Sequence, residues 1–492
     1  MPALVIPALI WMVLADLHGG GLEILAQFLV AAVQPSLEVS VLTQQLHGLQ
    51  ITVLTALIAW SLSGLIGALL GLLSSRTVWS LMSGSTWPSG WFRTLLAPLR
   101  SLHELVWGLL LLQIGGLSSW VAVLAITLPY SALMARVVAD QIDNRSTPAL
   151  TALRCCGAGP IATLLSALLP AVGPTLADHL SLRLECALRS SLLLGVFGLG
   201  GLGTDLELSL RSLQFHELWS GLWLLAIVMA ALEIVTTRWR PGWIGWLLLI
   251  SPWLAIGLGP LLGLDFSAPQ WTLPVTGASW SSSLRDMASA IGRAPWLDLV
   301  SSTIWLTLLS SAVAIGGPPL GLMLWPSRTG VILNRGCWGL LRLIPAPLTA
   351  LLLLLLATPS LNLAALALGL HHLGVMGRVL QNELDRQNHN VRTAMDAAGA
   401  SARMAWLYGD LAGISRRYLA YAAYRADVIL RDTAVLGLVG GAGLGWQLIE
   451  SLSSFDWSLV ACLLIVYALL TGTGERLSQR LQAHWACKAG GL

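Results

Sequence analysis

Charge is scarce in this 492-residue chain: only 10% of its residues are Asp, Glu, Lys or Arg. Ordinary soluble domains carry about 25%. So few charges cannot coat a globular surface, which excludes a water-soluble fold. Lysine is scarcer still, with Lys488 the single example. A nucleotide-cradling P-loop needs a lysine followed by Ser or Thr, and Lys488 is followed by Ala489, so the chain carries no P-loop. The six cysteines, Cys155, Cys156, Cys186, Cys337, Cys462 and Cys487, form no C-x-x-C pair and have no histidine at ligand spacing. They read as packing residues, with no metal site. No serine, cysteine or metal constellation for catalysis is present, so the chain does not read as an enzyme. A net charge of +3 is too small to argue for nucleic acid. Residues 1–15 are apolar without a basic leader or a clear cleavage site, so a retained membrane helix is expected there rather than a signal peptide.

What is abundant is apolar sequence. The runs 51–75, 241–264, 299–327 and 343–377 contain no charged residue. About 20 apolar residues span a bilayer as a helix. The run 343–377 would be about 50 Å long against a hydrocarbon core of about 30 Å, so it must hold two crossings. A break is expected at Thr358-Pro359-Ser360, and its counterpart within 105–135 at Gly115-Gly116. The fold class is an all-α polytopic membrane protein.

The chain is also a duplication. One offset, 242 residues, pairs Arg100 with Arg342, Arg136 with Arg378, Asp143 with Asp385, Arg183 with Arg425, Glu185 with Asp427 and Arg189 with Arg431. It pairs Gly195, Gly198, Gly201 and Gly203 with Gly437, Gly440, Gly443 and Gly445. The seam lies near Arg238-Trp239-Arg240, giving repeats 1–240 (core about 50–236) and 241–492 (core about 298–477). The expected crossings are 1–17, 51–74, 96–114, 117–137, 168–200 and 214–236, then 243–263, 299–325, 341–357, 360–380, 414–442 and 456–474. That makes about 12 helices, within a range of about 10–12. An even number per half orients both halves alike. Arginine placement agrees: Arg76, Arg93, Arg145, Arg154, Arg238 and Arg240, then Arg328, Arg335, Arg386, Arg392, Arg403, Arg416 and Arg417, fall in loops assigned to the cytoplasm. Both termini are then cytoplasmic. Parallel repeats surround a path on the axis between them.

Three matched features carry function. Each half is interrupted by a polar segment, 146–166 and 388–408. Thr147-Pro148 supplies an N-cap and a first-turn proline, so a short helix is expected over 149–156, ended by Gly157 and, in the second copy, by Gly399. Glu185 with Arg189 and Asp427 with Arg431 sit at i, i+4 inside apolar segments. Such charges face protein or a water-filled cavity. They are either ion pairs that stabilise the bundle or a positive potential offered to a passing oxyanion. Glycine clusters follow, including Gly198, Gly201 and Gly203, then Gly440, Gly443 and Gly445. They serve close helix packing, lining or gating of a path, or both. The match of 198–203 to G-x-G-x-x-G is a false positive, because a helical segment leads into it and Ala442 breaks the second copy. His371-His372 reads as a polar packing pair.

Thr-Ala-Leu-Arg-Cys-Cys-Gly-Ala (151–158), with Leu169-Pro170 beyond, resembles the cytoplasmic EAA loop of binding-protein-dependent ABC importer permeases. Thr-Ala-Met-Asp-Ala-Ala-Gly-Ala (393–400) is similar in the same way. The stretch 424–445, Arg100 with His-Glu-Leu-Val-Trp (103–107), and His371 with Gly374 resemble the phosphonate-importer permeases. The resemblance covers about 95–235 and 337–477. It implies two type I permease repeats in parallel orientation, in a bacterial inner membrane. It implies two ABC ATPase subunits that bind ATP and Mg below, and a periplasmic or lipid-anchored solute-binding protein above. It makes Thr151, Arg154, Gly157, Ala158, Arg392, Thr393, Gly399 and Ala400 the ATPase-coupling loops. The loop's naming glutamate is replaced by Thr151 and Thr393, and the proline matching Pro170 by Ala412, so docking is expected through packing and Arg154 or Arg392. The expected cargo is phosphonate or a related phosphorus oxyanion such as phosphite or phosphate. The rival readings are a fused permease for another solute such as ferric iron, a 6+6 secondary transporter, and a membrane enzyme.

Overall fold

The computed structural model describes residues 2–143, 148–238, 242–264, 280–388, 390–436 and 443–487. Among them, apart from an isolated antiparallel bridge between Leu17 and Ala357, regular structure is helical throughout. The first half contributes α1 (Val5–Ala15), α2 (Gly21–Val33), α3 (Val39–Ser74), α4 (Arg76–Ser83), α5 (Trp87–Ser101), α6 (Glu104–Gly115), α7 (Ser119–Asp143), α8 (Pro148–Cys155), α9 (Pro160–Leu199), α10 (Leu202–Arg211) and α11 (Phe215–Arg238). The second contributes α12 (Gly242–Leu258), α13 (Trp280–Arg293), α14 (Trp296–Leu324), α15 (Arg328–Leu343), α16 (Ala346–Leu354), α17 (Leu361–Arg386), α18 (Asn390–Ala397), α19 (402–436), α20 (Leu444–Ser453) and α21 (Trp457–Cys487).

Packing divides the chain into two units, 35–276 and 1–34 together with 277–492. These boundaries differ from the seam of the duplication, because α1 and α2 of the first half, and α12 of the second, belong to the other half's unit. In the unit 35–276, α12 lies on α3: the Ser61 hydroxyl donates to the Leu248 carbonyl, and Gly64 makes room for the Leu248 side chain. In the other unit, α1 packs Ile6 and Leu9 beside Val313 of α14, and Val13 beside Ala357 and Leu363.

The central pair of the unit 35–276 is α3 with α7. Apolar burial gives little drive between helices already in lipid, so close packing of small residues must bring them together. A Cβ on Gly67 would stand 2.5 Å from Met134 Cβ, showing how near the backbones run. The corresponding pair, α14 with α17, meets through Ser310, whose hydroxyl donates to the Ala365 carbonyl at 3.1 Å. Large apolar side chains such as Leu69, Trp246 and Trp253 remain exposed, as they must where the solvent is hydrocarbon.

Among the described residues α3, α7, α9, α11, α14, α17 and α21 are long and apolar enough to cross a bilayer. The breaks expected at Gly115-Gly116 and at 358–360 are present: α6 ends at Gly115, and Ser360 caps α17 by accepting from the Leu363 amide at 3.2 Å. The crossings expected at 96–114 and 341–357 fall on bent helix pairs that are together apolar enough for a span. Each is an elbow, α5 to α6 bent by 84° and α15 to α16 by 96°. His103 causes the first, its Nδ1 accepting from the Leu105 amide at 3.1 Å and restarting the helix. In the second, Pro345 has no amide to donate and holds Ile344 extended, and Pro347 sits in the first turn of α16, where a missing amide costs nothing. The three other expected crossings fall on α1 and α12, which have 11 and 17 residues, and on α19.

Candidate coupling helices and translocation path

The short helices predicted in the polar interruptions form as α8 and α18. Both end in the same way. Gly157 and Gly399 adopt φ of +82° and +79°, a conformation that favours glycine. The Gly157 and Ala158 amides donate to Arg154 and Leu153 carbonyls at 3.0 Å; the Gly399 and Ala400 amides donate to Asp396 and Met395 carbonyls at 3.1 and 3.0 Å. This double closure is the Schellman motif. Thr151, Arg154 and Thr393 are exposed, while Ala158 and Ala400 are half-buried. Thr147, the expected N-cap, lies outside the described residues.

Arg392 points another way. Its guanidinium is ion-paired to the carboxylate of Asp410, which is only 1% exposed, and lies 3.8 Å from Asp396. By the 242-residue offset Arg392 matches Leu150, and Arg154 matches Asp396. The outward-facing position is therefore basic on α8 and acidic on α18. Behind each docking helix the long helix begins with π-helical turns, Leu164–Leu168 and Ala405–Leu411, again at matched places. Such turns recur at functional sites.

Next to this level lies a small basic cavity of about 120 Å³ in the unit 35–276, lined by Ser74, Arg93, Leu96, Arg100, Ala132 and Arg136. Arg93 reaches Asp143 at 2.8 Å and Asp140 at 3.5 Å; Arg136 reaches Asp140 at 3.3 Å. Asp143 also closes the start of α4, accepting from the Ser75 hydroxyl at 2.7 Å and the Thr77 amide at 3.0 Å. The repeat keeps all three arginines as Arg335, Arg342 and Arg378, and keeps Asp143 as Asp385, 3.0 Å from Arg335. It replaces Asp140 with Asn382.

Deeper along the long helices sit the predicted charge pairs. Glu185 and Arg189 meet at 2.5 Å, Asp427 and Arg431 at 2.6 Å. Arg431 has a second carboxylate, Glu475, at 3.7 Å, which the sequence reading missed. The offset would have found it, because Glu475 matches Glu233. The histidines form a polar network too: Arg425 Nε donates to His372 Nδ1 at 3.0 Å, and His372 Nε2 lies 3.0 Å from Asp432. At the matching places Arg183 stacks over the Tyr130 ring at 5.6 Å, and the Tyr130 and Ser190 hydroxyls lie 2.8 Å apart.

The glycine cluster breaks the helix. Phe197 and Gly198 leave helical geometry, and Gly198, Gly200 and Gly201 all have positive φ before α10 starts. A helix, not a strand, leads in, which disposes of the dinucleotide pattern. Gly203 lets the chain fold back on itself: a Cβ there would stand 2.0 Å from the Leu192 carbonyl oxygen. The sequence reading missed Thr52, whose hydroxyl accepts from the Leu202 amide at 2.9 Å and so closes the break from α3. Thr303 does the same for the Leu444 amide at 2.9 Å, beside Gly443 with φ +108°. Gly445 again sits hard against backbone, at Ala434. Gly440 lies outside the described residues.

Short exposed helices and charge-bearing spans thus recur at matched places in both halves of the chain. Over residues 63–240 the chain carries the domain of the family described as "Binding-protein-dependent transport system inner membrane component". Among named relatives, the chain is similar to the phosphate-import permease protein PhnE of Mycolicibacterium smegmatis, with 22% identity over 418 residues, 78% of this chain and 76% of that one. That alignment necessarily passes through both halves. It is 31% identical over 158 residues to the putative phosphite transport system permease protein HtxE of Stutzerimonas stutzeri, covering 32% of this chain and 60% of the relative. It is 35% identical over 144 residues to the phosphite transport system permease protein PtxC of the same species, covering 29% and 50%. No solved structure matches the chain.

Proposed function

We propose that this chain is the whole transmembrane component of an ABC importer, moving phosphonate, phosphite or phosphate inward across a bacterial inner membrane. ATP and Mg bind to two separate ATPase subunits, and a periplasmic or lipid-anchored protein delivers the solute. The observation that carries this reading is the matched pair of exposed helices α8 and α18, each closed by a glycine in left-handed conformation and each followed by a π-helical turn. A rigid, solvent-facing helix at the end of a span is a handle a motor subunit can grip. With two handles in one chain, the fused halves do the work of a permease dimer, repeat 1–240 and repeat 241–492 each meeting one ATPase. Both termini lie on the ATPase side.

The oxyanion assignment is supported by the relatives' names and by arginine placement. Guanidinium matches phosphorus oxyanions in charge and geometry. Arg93, Arg100 and Arg136 line one cavity, and all three recur in the second half even where the neutralising Asp140 has become Asn382. Arg189 and Arg431, already held by carboxylates, and the glycines Gly198, Gly201, Gly203, Gly443 and Gly445 are assigned to the same path. Reconstitution in liposomes with the ATPase and the binding protein tests the reading: ATP-dependent uptake of labelled phosphite or a phosphonate is the expected result. Uptake without ATP would refute the ABC assignment in favour of a secondary transporter. Uptake of another solute such as ferric iron, with none of any phosphorus oxyanion, would refute the cargo.

A further inference from the structure

The two docking helices rest on their supports through different chemistry. Positions 150 and 168 of the first half correspond to 392 and 410 of the second. In the first, Leu150 packs on an apolar cluster of Val78, Met134, Val138, Ile142, Leu168 and Val172. In the second, the same two positions are Arg392 and Asp410, ion-paired with the carboxylate buried. The backbone seat is close as well: a Cβ on Gly409 would stand 2.9 Å from Arg392 Cα, and Gln387 Nε2 donates to the Gly409 carbonyl at 3.3 Å. Beside the pair lies a cavity of about 170 Å³ lined in part by Arg335, Trp338, Asp385 and Trp406. The apolar cluster itself recurs in the second half as Met376, Leu380, Leu384 and Ile414, but the two positions through which α8 meets it, 150 and 168, are charged there as Arg392 and Asp410.

We infer that the Arg392–Asp410 pair is a polar tether that positions docking helix α18, performing in the second half what the packing of Leu150 performs in the first. The physics of the two anchors differs. An apolar contact loses little when it slides, whereas removing Arg392 takes the guanidinium from a buried carboxylate, and replacing both residues by leucine is close to neutral. Arg392 and Asp410 are therefore positioning residues for coupling. Their effect on transport rests on the docking role proposed above; the tether itself does not.

The repeat supplies the design of the test. Arg392→Leu, Asp410→Leu, the double Arg392→Leu/Asp410→Leu and the conservative Arg392→Lys are compared with the parent chain. Backbone hydrogen exchange over 390–400, with 148–158 as internal reference, is read on the purified full chain. Uptake and ATP consumed per solute are read in the assembled transporter. Arg392→Leu is expected to speed exchange in α18 by about tenfold or more, and Asp410→Leu, which leaves the half-buried Arg392 beside Asp396, to speed it by less; both leave α8 unchanged and raise ATP consumed per solute. The double variant, which copies the Leu150 and Leu168 positions, is expected to return both readings to within about twofold of the parent. Arg392→Lys keeps the charge and is expected to hold the helix. Arg392→Gln, a milder change, serves where the leucine variants do not accumulate. Unchanged exchange in the single variants, or a double variant as loose as either single, would overturn the tether. A loosened α18 with unimpaired uptake supports the tether and overturns the docking role instead.

Discussion

A methyl group at Gly203 tests the folded-back geometry of the broken span. The added carbon would meet the Leu192 carbonyl oxygen at 2.0 Å, the Val196 amide at 2.8 Å and Gly195 C at 3.0 Å. An ordinary carbon–oxygen contact is about 3.3–3.6 Å, so more than about 1 Å must be found. All three obstacles are backbone, and no side chain can rotate aside. Overpacking of this kind costs about 1–3 kcal/mol, and Gly203→Ala belongs at the upper end. At about 2–4 °C per kcal/mol for a unit of this size, the expected fall in melting temperature is about 6–12 °C. Two other glycines bracket the effect. Gly198 has φ +82° with nothing within 4 Å, so Gly198→Ala costs only the left-handed strain of about 1–2 kcal/mol. Gly472 lies inside α21 with open space, so Gly472→Ala is expected to gain about 0.5–1 kcal/mol. Thermal unfolding of the purified chain in detergent, followed by tryptophan fluorescence, ranks the three. Gly203→Ala melting no lower than Gly198→Ala would refute the fold-back.

Thr52→Val and Thr303→Val each remove the hydroxyl that accepts the first amide beyond the glycine break, and each is expected to cost about 1 kcal/mol in the same melting assay. Arg431→Gln leaves Asp427 and Glu475 facing each other without their guanidinium and is expected to lower stability by about 3–5 kcal/mol. Asp427→Asn leaves Arg431 its second carboxylate, so its loss is smaller; equal losses would show that Glu475 takes no part. Asp205, at the start of α10, has its carboxyl pKa raised by burial, against the lowering effect of the Gln44 amide that donates to it at 2.9 Å. A raised acid is favoured protonated in the folded chain, so its contribution is present at low pH and is lost as pH rises through the folded pKa. Asp205→Asn is therefore expected to raise the melting temperature relative to the parent at neutral pH and to lose that advantage below about pH 4.

Most of the helices were legible because lipid demands long apolar runs and because the duplication reports each feature twice. The C-terminal ends of α8 and α18 were legible for a local reason: Gly157 and Gly399 are the residues a left-handed closure favours. The elbows at His103 and Pro345 were not read, since hydropathy continues unchanged across them. Nor was the inward turn of Arg392. Its only sign is that position 410, apolar in the first half as Leu168, is an aspartate in the second, and a contact between residues 18 apart has no local signature. Thr52 and Thr303 escaped for a similar reason. They sit mid-sequence in apolar helices, about 140–150 residues from the amides they close, where a threonine looks like any β-branched filler.

The exchanged first helices bear on how such a chain is assembled. A gene divided at the seam would yield one polypeptide holding α1 to α11 and another holding α12 to α21. Each product would then carry a first helix whose resting place is on its counterpart, α1 against α14 and α17, α12 against α3. Neither fragment holds a complete packing unit, and two copies of the same fragment present each first helix with a surface shaped for another. Reciprocal exchange of this kind makes the halves mutually dependent and self-sorting, and a single reading frame secures their one-to-one supply.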